Sequence, residues 1–297
     1  MSYEKLKLEF LANAEKKAFV VLMQNLKISM SEAQKLIDKK RLFCEGKLVE
    51  KKNENLKGLV ELVIYKNNPR GVEIVFENED FAVLEKPSGV LSHPNGRHCE
   101  YSLCDEIWHL WGEKACVVHR LDKETSGLIL VAKNKNSQTE LKKMFEKRRV
   151  QKEYLAMIEG CCAEEFQVDL ATSLTKNYDD VKTRMQICVD GKRTVSEFKR
   201  LKFYPKLDAS LVLCKPLTGR QHQLRLHLFH MKHKILGEPL YGLKKTQIEQ
   251  ILDKKISERA RIELTGAKRL MLHSYRLNFT YKKSHFDIFS RFKFENV

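Results

Sequence analysis

The chain has 297 residues and a mass of 34.8 kDa, enough for two domains at about 100–200 residues each. Apolar residues make up 42%, which excludes a disordered chain, and 13 Gly with 6 Pro exclude a collagen-like or linker-rich one. Lys and Arg number 55 against 39 Asp and Glu, a formal net charge of +16 that calls for anionic company such as nucleic acid or a membrane surface. The excess is spread out: residues 1–68 carry 14 basic and 9 acidic side chains, so this is no basic tail on a neutral body. No apolar run approaches the roughly 18 residues of a membrane span. The N-terminus is polar and lacks an apolar signal-peptide core, so a cytoplasmic location is expected. The 8 cysteines form no Cys-x-x-Cys pair. The close spacings are Cys99/Cys104 and Cys161/Cys162, and His98 beside Cys99 has the wrong spacing for zinc. Reduced thiols and no metal are expected.

In chain order, residues 18–23 form the first apolar run and suit a buried core element. Ser31-Glu32-Ala33-Gln34 predicts a capping box. The helix after it carries Ala33, Leu36 and Ile37 on one face, with Gln34, Lys35, Lys39 and Lys40 on the rest. Residues 41–44 read as a short strand, Glu45-Gly46-Lys47 as a turn, and 48–49 and 59–65 as further strands. This capped basic helix followed by a hairpin resembles the RNA-binding domain named after ribosomal small-subunit protein four. The resemblance rests on Ser31, Ala33, Gln34, Leu36, Ile37, Arg41, Glu45, Gly46 and Lys47. Lys66-Asn67-Asn68-Pro69-Arg70-Gly71 then reads as a break. A small α/β RNA-binding domain over 1–68 and a second domain over 69–297 are expected.

Beyond the break, 72–76 and 81–85 read as strands around the turn Asn78-Glu79-Asp80, and Lys86-Pro87-Ser88-Gly89 is a turn signal. A helix is predicted over 101–112 with Ser102 as its cap. Residues 126–133 form a strongly apolar strand, and Ser137 is placed as the cap of a helix running to Arg148. Residues 154–158 and 186–189 read as strands, and Asp190-Gly191 as a hairpin turn joining 186–189 to 194–200. Residues 210–214 form another strand, and 221–228 alternate polar and apolar as a strand does. Strands outnumber helices and many are joined by hairpins. That predicts an α+β domain on a mixed, largely antiparallel sheet.

One acid, Asp122, lies between Leu121 and Lys123 just before the apolar strand. The backbone fixes a carboxylate there, which suits action on a ligand and equally suits capping a turn. The run 119–133 resembles the signature of the RluA family of pseudouridine synthases. Further family landmarks follow in order. Lys86-Pro87-Ser88-Gly89-Val90 resembles the first motif, and Lys152-Glu153-Tyr154-Leu155-Ala156 the strand with the active-site tyrosine. Gly191-Lys192 with Thr194 and Glu197 matches the following hairpin. The run from Leu217 through Gly219, Arg220, His222, Gln223 and Arg225 to His227 resembles the third motif. Gly237-Glu238-Pro239-Leu240-Tyr241-Gly242 and Leu272-His273 complete the series over 69–281. Gln221 departs from the pattern, where the family often has Thr, and leaves its neighbours in register.

The resemblance implies an RNA pseudouridine synthase on a pseudouridine synthase fold, with 69–297 as the catalytic domain. That reaction breaks the bond from uracil nitrogen one to the ribose, rotates the base and joins carbon five to the same sugar carbon. The product is an isomer, so no cofactor or metal is implied. Asp122 is the implied catalytic carboxylate, acting as a nucleophile or as a base at the sugar. Arg225 is its implied partner, a permanently charged group with a flat pair of donors. Tyr154 is implied to stack on the target base and is a candidate to take the carbon-five proton, although a phenol titrating near 10 is a poor base. Arg120 is implied to enter the space left by a flipped nucleotide. His119, Leu121, Thr125, Gly127, Arg220, His222 and Gln223 complete the implied substrate-binding set. The family makes 221–228 helical. His222, His227, His230 and His233 have metal-like spacing, but the family uses no metal. Lys142, Lys143, Lys147, Arg148, Arg149, Lys182, Arg184, Lys192 and Arg193 are candidates for phosphate contacts. The expected partner is RNA, with large-subunit ribosomal RNA ahead of tRNA, for a monomer that binds no membrane. Two rival readings are a non-catalytic RNA-binding or ribosome-assembly protein and a hydrolase working on a sugar with an acid pair. The set Asp122, Tyr154 and Arg225 argues against the first. The second lacks an opposed carboxylate, since Glu124 is too close to Asp122 in sequence.

Overall fold

The computed structural model describes residues 6–64, 68–94, 101–175, 184–253, 255–292 and 294. Lys66, Asn67, His98, Cys99 and Lys182 lie outside the described residues. The chain divides into two compact units, one ending at Asn68 and one beginning at Pro69.

The smaller unit runs β1 (Leu6–Lys17), α1 (Ala18–Leu26), α2 (Met30–Asp38), β2 (Leu42–Cys44), β3 (Lys47–Leu48) and β4 (Asn55–Ile64). Its sheet has the order β1-β4-β2-β3. Val21 and Leu22 of α1 and Ala33 and Ile37 of α2 bury against Leu42, Leu56, Val60 and Leu62. The cap of α2 is Ser29, not Ser31: the Glu32 amide donates to Ser29 Oγ at 3.3 Å, and the Ser29 amide donates to the Glu32 carboxylate at 2.9 Å. Both serines precede an acid or amide by three residues. The box with the charged partner wins, because a carboxylate is favoured in the first turn of a helix.

The larger unit begins with β5 (Glu73–Glu77), β6 (Phe81–Lys86), α3 (Leu103–Trp111), β7 (Cys116–Val117), β8 (Ser126–Ala132), α4 (Lys135–Glu146) and β9 (Gln151–Glu159). It continues through β10 (Glu165–Leu174), β11 (Met185–Ile187), β12 (Lys192–Tyr204), β13 (Ala209–Pro216) and α5 (Gln223–His230). It ends with α6 (Lys245–Leu252), α7 (Glu258–Thr265), β14 (Leu272–Tyr281) and β15 (Ser284–Phe289). The sheet follows the path β11-β10-β12-β13-β9-β14-β8-β6-β5, with β15 on β14 and β7 on β8. Among the described residues β14 and β8 pair in parallel and their neighbours antiparallel, so the sheet is mixed and largely antiparallel and the class is α+β.

All seven residues of β8 are buried because both faces of the sheet are covered there. Ile129 and Val131 join one core cluster with Leu103 and Ile107 of α3. Leu128 and Leu130 join another with Leu141 and Met144 of α4. Ser102 caps α3 through a box with Asp105. The cap of α4 is Asn134, whose side chain accepts from the Ser137 amide at 3.0 Å, so Ser137 sits inside the first turn.

The expected hairpin at Asp190-Gly191 is replaced by another pairing. β11 and β12 lie on opposite sides of β10 and do not pair with each other. The glycine there serves close packing, since a Cβ on Gly191 would lie 2.6 Å from the Thr172 backbone of β10. Residues 221–228 fall largely in α5 and not in a strand.

Gly127 is fixed by the parallel pairing of β8 with β14. Its φ of +108° belongs to glycine, and a Cβ would lie 2.3 Å from Ser274 O. Gly127→Ala is expected to lower the unfolding free energy by about 2–4 kcal/mol through overpacking and backbone strain, measured by urea titration. A loss under about 0.5 kcal/mol, the range of an ordinary surface substitution, would show that β8 and β14 do not approach this closely.

Candidate active site

Asp122 lies in the loop between β7 and β8, and neighbouring residues on both sides of it are clamped. Ser92 Oγ accepts from the Leu121 amide at 3.2 Å and donates to its carbonyl at 2.9 Å. The Lys123 carbonyl accepts from the Gly89 amide at 2.8 Å and from Lys86 Nζ at 3.2 Å. The Glu124 carbonyl accepts from Ser88 Oγ at 2.7 Å, and its carboxylate pairs with Arg261 at 2.7 Å. The Thr125 amide closes the turn on the Asp122 carbonyl at 3.1 Å. Lys86 is fully buried, and its ammonium also donates to the carbonyls of Pro87 and Val90 at 2.9 and 2.8 Å. Burial pushes that ammonium down to about 7 against the pull of Asp122 and Glu124. The segment read as a turn signal is thus the brace of the Asp122 loop.

From the other side comes Arg225 of α5, whose side chain is 3% exposed. Its Nη1 donates to Asp122 Oδ2 at 3.2 Å. The expected flat pair of donors goes elsewhere: Nε and Nη2 donate to the two oxygens of Glu238 at 2.8 and 2.6 Å. Glu238 is also buried, and one of its oxygens accepts from the amides of Leu240 and Tyr241. A guanidinium in this depth needs a close anion to stay solvated. Glu238 supplies it bidentately, and Asp122 receives the remaining donor. Sequence reasoning passed over Glu238, because a turn acid 13 residues after Arg225 gives no periodic sign of the contact.

Burial by itself would raise the Asp122 carboxyl. The positive field of His222, Arg225 and Lys86 outweighs it and holds the carboxyl below its ordinary value. His222 is pushed down to about 4 by its own burial and by Arg225, so at neutral pH Arg225 carries most of that field. His222 Nε2 lies 3.8 Å from Asp122 Oδ2. Tyr154 on β9 is 8% exposed. Burial and then the Asp122 charge push its phenol well above the ordinary value, so its proton is retained.

The remaining expected site residues divide. Arg120 and Arg220 are exposed and free to meet a polyanion. Leu121 and Thr125 are buried and hold the loop. Gln223 is a buried tie: its side chain bonds to Thr218, the Arg220 amide, the Val195 carbonyl and Ser196. His119 faces inward, accepting from the Leu130 amide at 3.0 Å and stacking on Phe145 at 4.4 Å, and burial pushes it to about 3. Gln223, His119, Leu121, Thr125 and Gly127 are therefore buried in or tied into the fold. Arg193 is engaged by Asp169, whereas Lys142, Lys143, Lys147, Arg148 and Arg149 are exposed around the end of α4. Among the described histidines, His227 turns to Thr194 and His233 to the Glu159 carbonyl, and neither joins His222.

Residues 80–230, which hold all of these expected site residues, match the family described as RNA pseudouridylate synthase. The chain belongs to that family. An uncharacterized RNA pseudouridine synthase of Helicobacter pylori strain J99 is 37% identical over 275 residues, covering 92% of this chain and 91% of the relative. Ribosomal large subunit pseudouridine synthase D of Zymomonas mobilis is 31% identical, covering 72% and 67%. The tRNA pseudouridine(31) synthase of Saccharomyces cerevisiae is 33% identical, covering 58% and 46%. As an RNA pseudouridine synthase of the RluA type, the chain is an isomerase that acts on uridine in RNA.

In this synthase the Arg225–Glu238 pair is expected to matter for folding as well as chemistry. Arg225→Met strands a buried carboxylate and is expected to cost about 3–5 kcal/mol. Adding Glu238→Gln removes the stranded charge while keeping an acceptor for the Leu240 and Tyr241 amides, and is expected to restore part of the loss. Denaturant unfolding of the two variants measures this. A double variant no more stable than Arg225→Met would show that Glu238 is not the group left stranded.

Proposed function

We propose that Asp122 is the catalytic carboxylate of this synthase and that its target is a uridine of large-subunit ribosomal RNA. The observation that carries the first part is an Asp122 carboxylate held ionised by Arg225 in a braced loop, with 27% of its side chain still open to a ligand. Cleavage of the glycosidic bond needs an anion at the sugar. Asp122 supplies it by attack on the anomeric carbon or by removing a proton from the neighbouring sugar carbon. Arg225 keeps that anion ready without taking its proton. Tyr154, with its phenol proton retained, serves as the stacking face for the base and not as the base for carbon five. The exposed cations at the end of α4, with Arg120 and Arg220, supply phosphate contacts that are blind to sequence.

The choice of ribosomal RNA is supported by the relative of that name, which matches more of the chain than the tRNA-modifying one. The yeast relative keeps tRNA as the second reading. We read the smaller unit as an added RNA grip of the type named after ribosomal small-subunit protein four. Lys35, Lys39 and Lys40 are exposed on and just after its α2, which supports that reading.

Asp122→Asn is expected to abolish turnover and leave RNA affinity within a factor of about three, since the phosphate contacts remain. Pseudouridine mapping in cells lacking the protein, complemented by wild type or by this variant, tests both halves. A large-subunit site should disappear and return with wild type alone. Return with Asp122→Asn removes Asp122 from the chemistry, and loss confined to tRNA moves the target.

A further inference from the structure

We propose that Tyr241 sets the tautomer of His222, so that the neutral imidazole turns its Nε2–H, and not a lone pair, toward the Asp122 carboxylate. This rests on the reading of Asp122 as the reacting carboxylate and makes Tyr241 a positioning residue that acts through His222.

Tyr241 is 1% exposed, so its hydroxyl proton needs a partner inside the protein. The oxygen accepts from the Met185 amide at 3.2 Å. Among the described residues the other neighbour within reach is His222 Nδ1, also at 3.2 Å. A phenol has one proton to give. With the Met185 amide already donating to its oxygen, that proton points at Nδ1, which must then carry a lone pair. The neutral ring is left with its proton on Nε2, the atom 3.8 Å from Asp122 Oδ2. That distance is too long for a hydrogen bond, but the direction of the dipole is set.

The surroundings keep the arrangement in place. Asp122, Arg225, Glu238 and Tyr241 are the titratable groups that act on His222, while Lys86, Arg225, His222 and Tyr154 act on Asp122. Arg225 Cζ lies 5.6 Å over the Tyr241 ring, and Phe229 packs 5.8 Å from it. The positive charge of Arg225 opposes a second proton on His222. The backbone adds an independent sign. His222 caps α5 at φ 51° and ψ 18°, the left-handed region, where a cap residue is normally extended. A non-glycine residue held there costs free energy that the surroundings must offset, and such positions cluster at working sites. In the opposite tautomer a nitrogen lone pair would face the Asp122 charge and raise its proton affinity.

The test is ¹⁵N NMR of the histidine ring nitrogens in the full-length enzyme between pH 6 and 8, with the His222 signals assigned by their loss in His222→Gln. The expected result is a protonated Nε2 and an unprotonated Nδ1. Tyr241→Phe should give a mixture of tautomers and a kcat about ten-fold lower, the loss of one hydrogen bond, at unchanged KM for RNA. A purely structural role for Tyr241 would lower the melting temperature without moving the tautomer. A wild-type His222 protonated on Nδ1 overturns the proposal, as does a Tyr241→Phe enzyme that keeps the wild-type tautomer and kcat. The wild-type spectrum decides the point even if the variant fails to fold. It is independent of whether Asp122→Asn retains turnover, so a failure of the catalytic reading is seen separately.

Discussion

The site depends on one buried cation shared unequally between two carboxylates. Arg225 gives two donors to Glu238 and one to Asp122. The bidentate pair makes the guanidinium tolerable in the interior, and the single contact lets it act on the carboxylate we propose as catalytic. Had Asp122 taken the whole fork, it would be neutralised and immobile. Had Glu238 taken every donor, burial would push Asp122 toward its protonated form. The division leaves an anion that is charged, oriented and open on one side.

That division requires both partners to be delivered accurately by distant parts of the chain. Asp122 comes from a loop gripped by Lys86, Ser88, Gly89 and Ser92, so the end of β6 and the turn after it act as a rigid cradle. Arg225 comes from α5, whose start is tied to β12 through Gln223. Groups held by strands and packed helices keep the sub-ångström placement that chemistry needs better than free loops do. Gln223 and His119, both in the expected substrate-binding set, are also tied into the fold, Gln223 to β12 and His119 to the Leu130 amide and the Phe145 ring.

Much of this was legible in the sequence and some was not, for physical reasons. β8 is seven buried residues, apolar from Leu128 to Ala132, so its strand is visible without any partner. α3 shows its cap in Ser102. α5 was hidden because Gln223 to Leu228 are all buried; a helix enclosed on every side shows no amphipathic stripe, and here it alternates by accident like a strand. β10 carries a plain alternation, with Glu165, Gln167 and Asp169 exposed and Phe166, Val168 and Leu170 on the core side; sequence reasoning passed over it, and the Asp190-Gly191 turn then drew β11 toward the wrong neighbour. For the site, Asp122, Tyr154 and Arg225 stood out through family resemblance, and spacing alone did not separate them from a turn acid, a core tyrosine and a surface arginine. Glu238 stood in a quoted motif with no role, since nothing local reveals a partner buried by tertiary packing.

The charge of Asp122 is read directly by the titration of its carboxyl in the free enzyme. With the side-chain carboxyl ¹³C-labelled and assigned by its absence in Asp122→Asn, the signal can be followed from neutral pH downward. The folded carboxyl is held below the ordinary value of 3.8. The charged form should therefore persist to about pH 4.5 with little change in shift, giving way only below the range of a free aspartate. A titration step above about pH 5 would mean that burial outweighs Arg225 and would contradict the central claim.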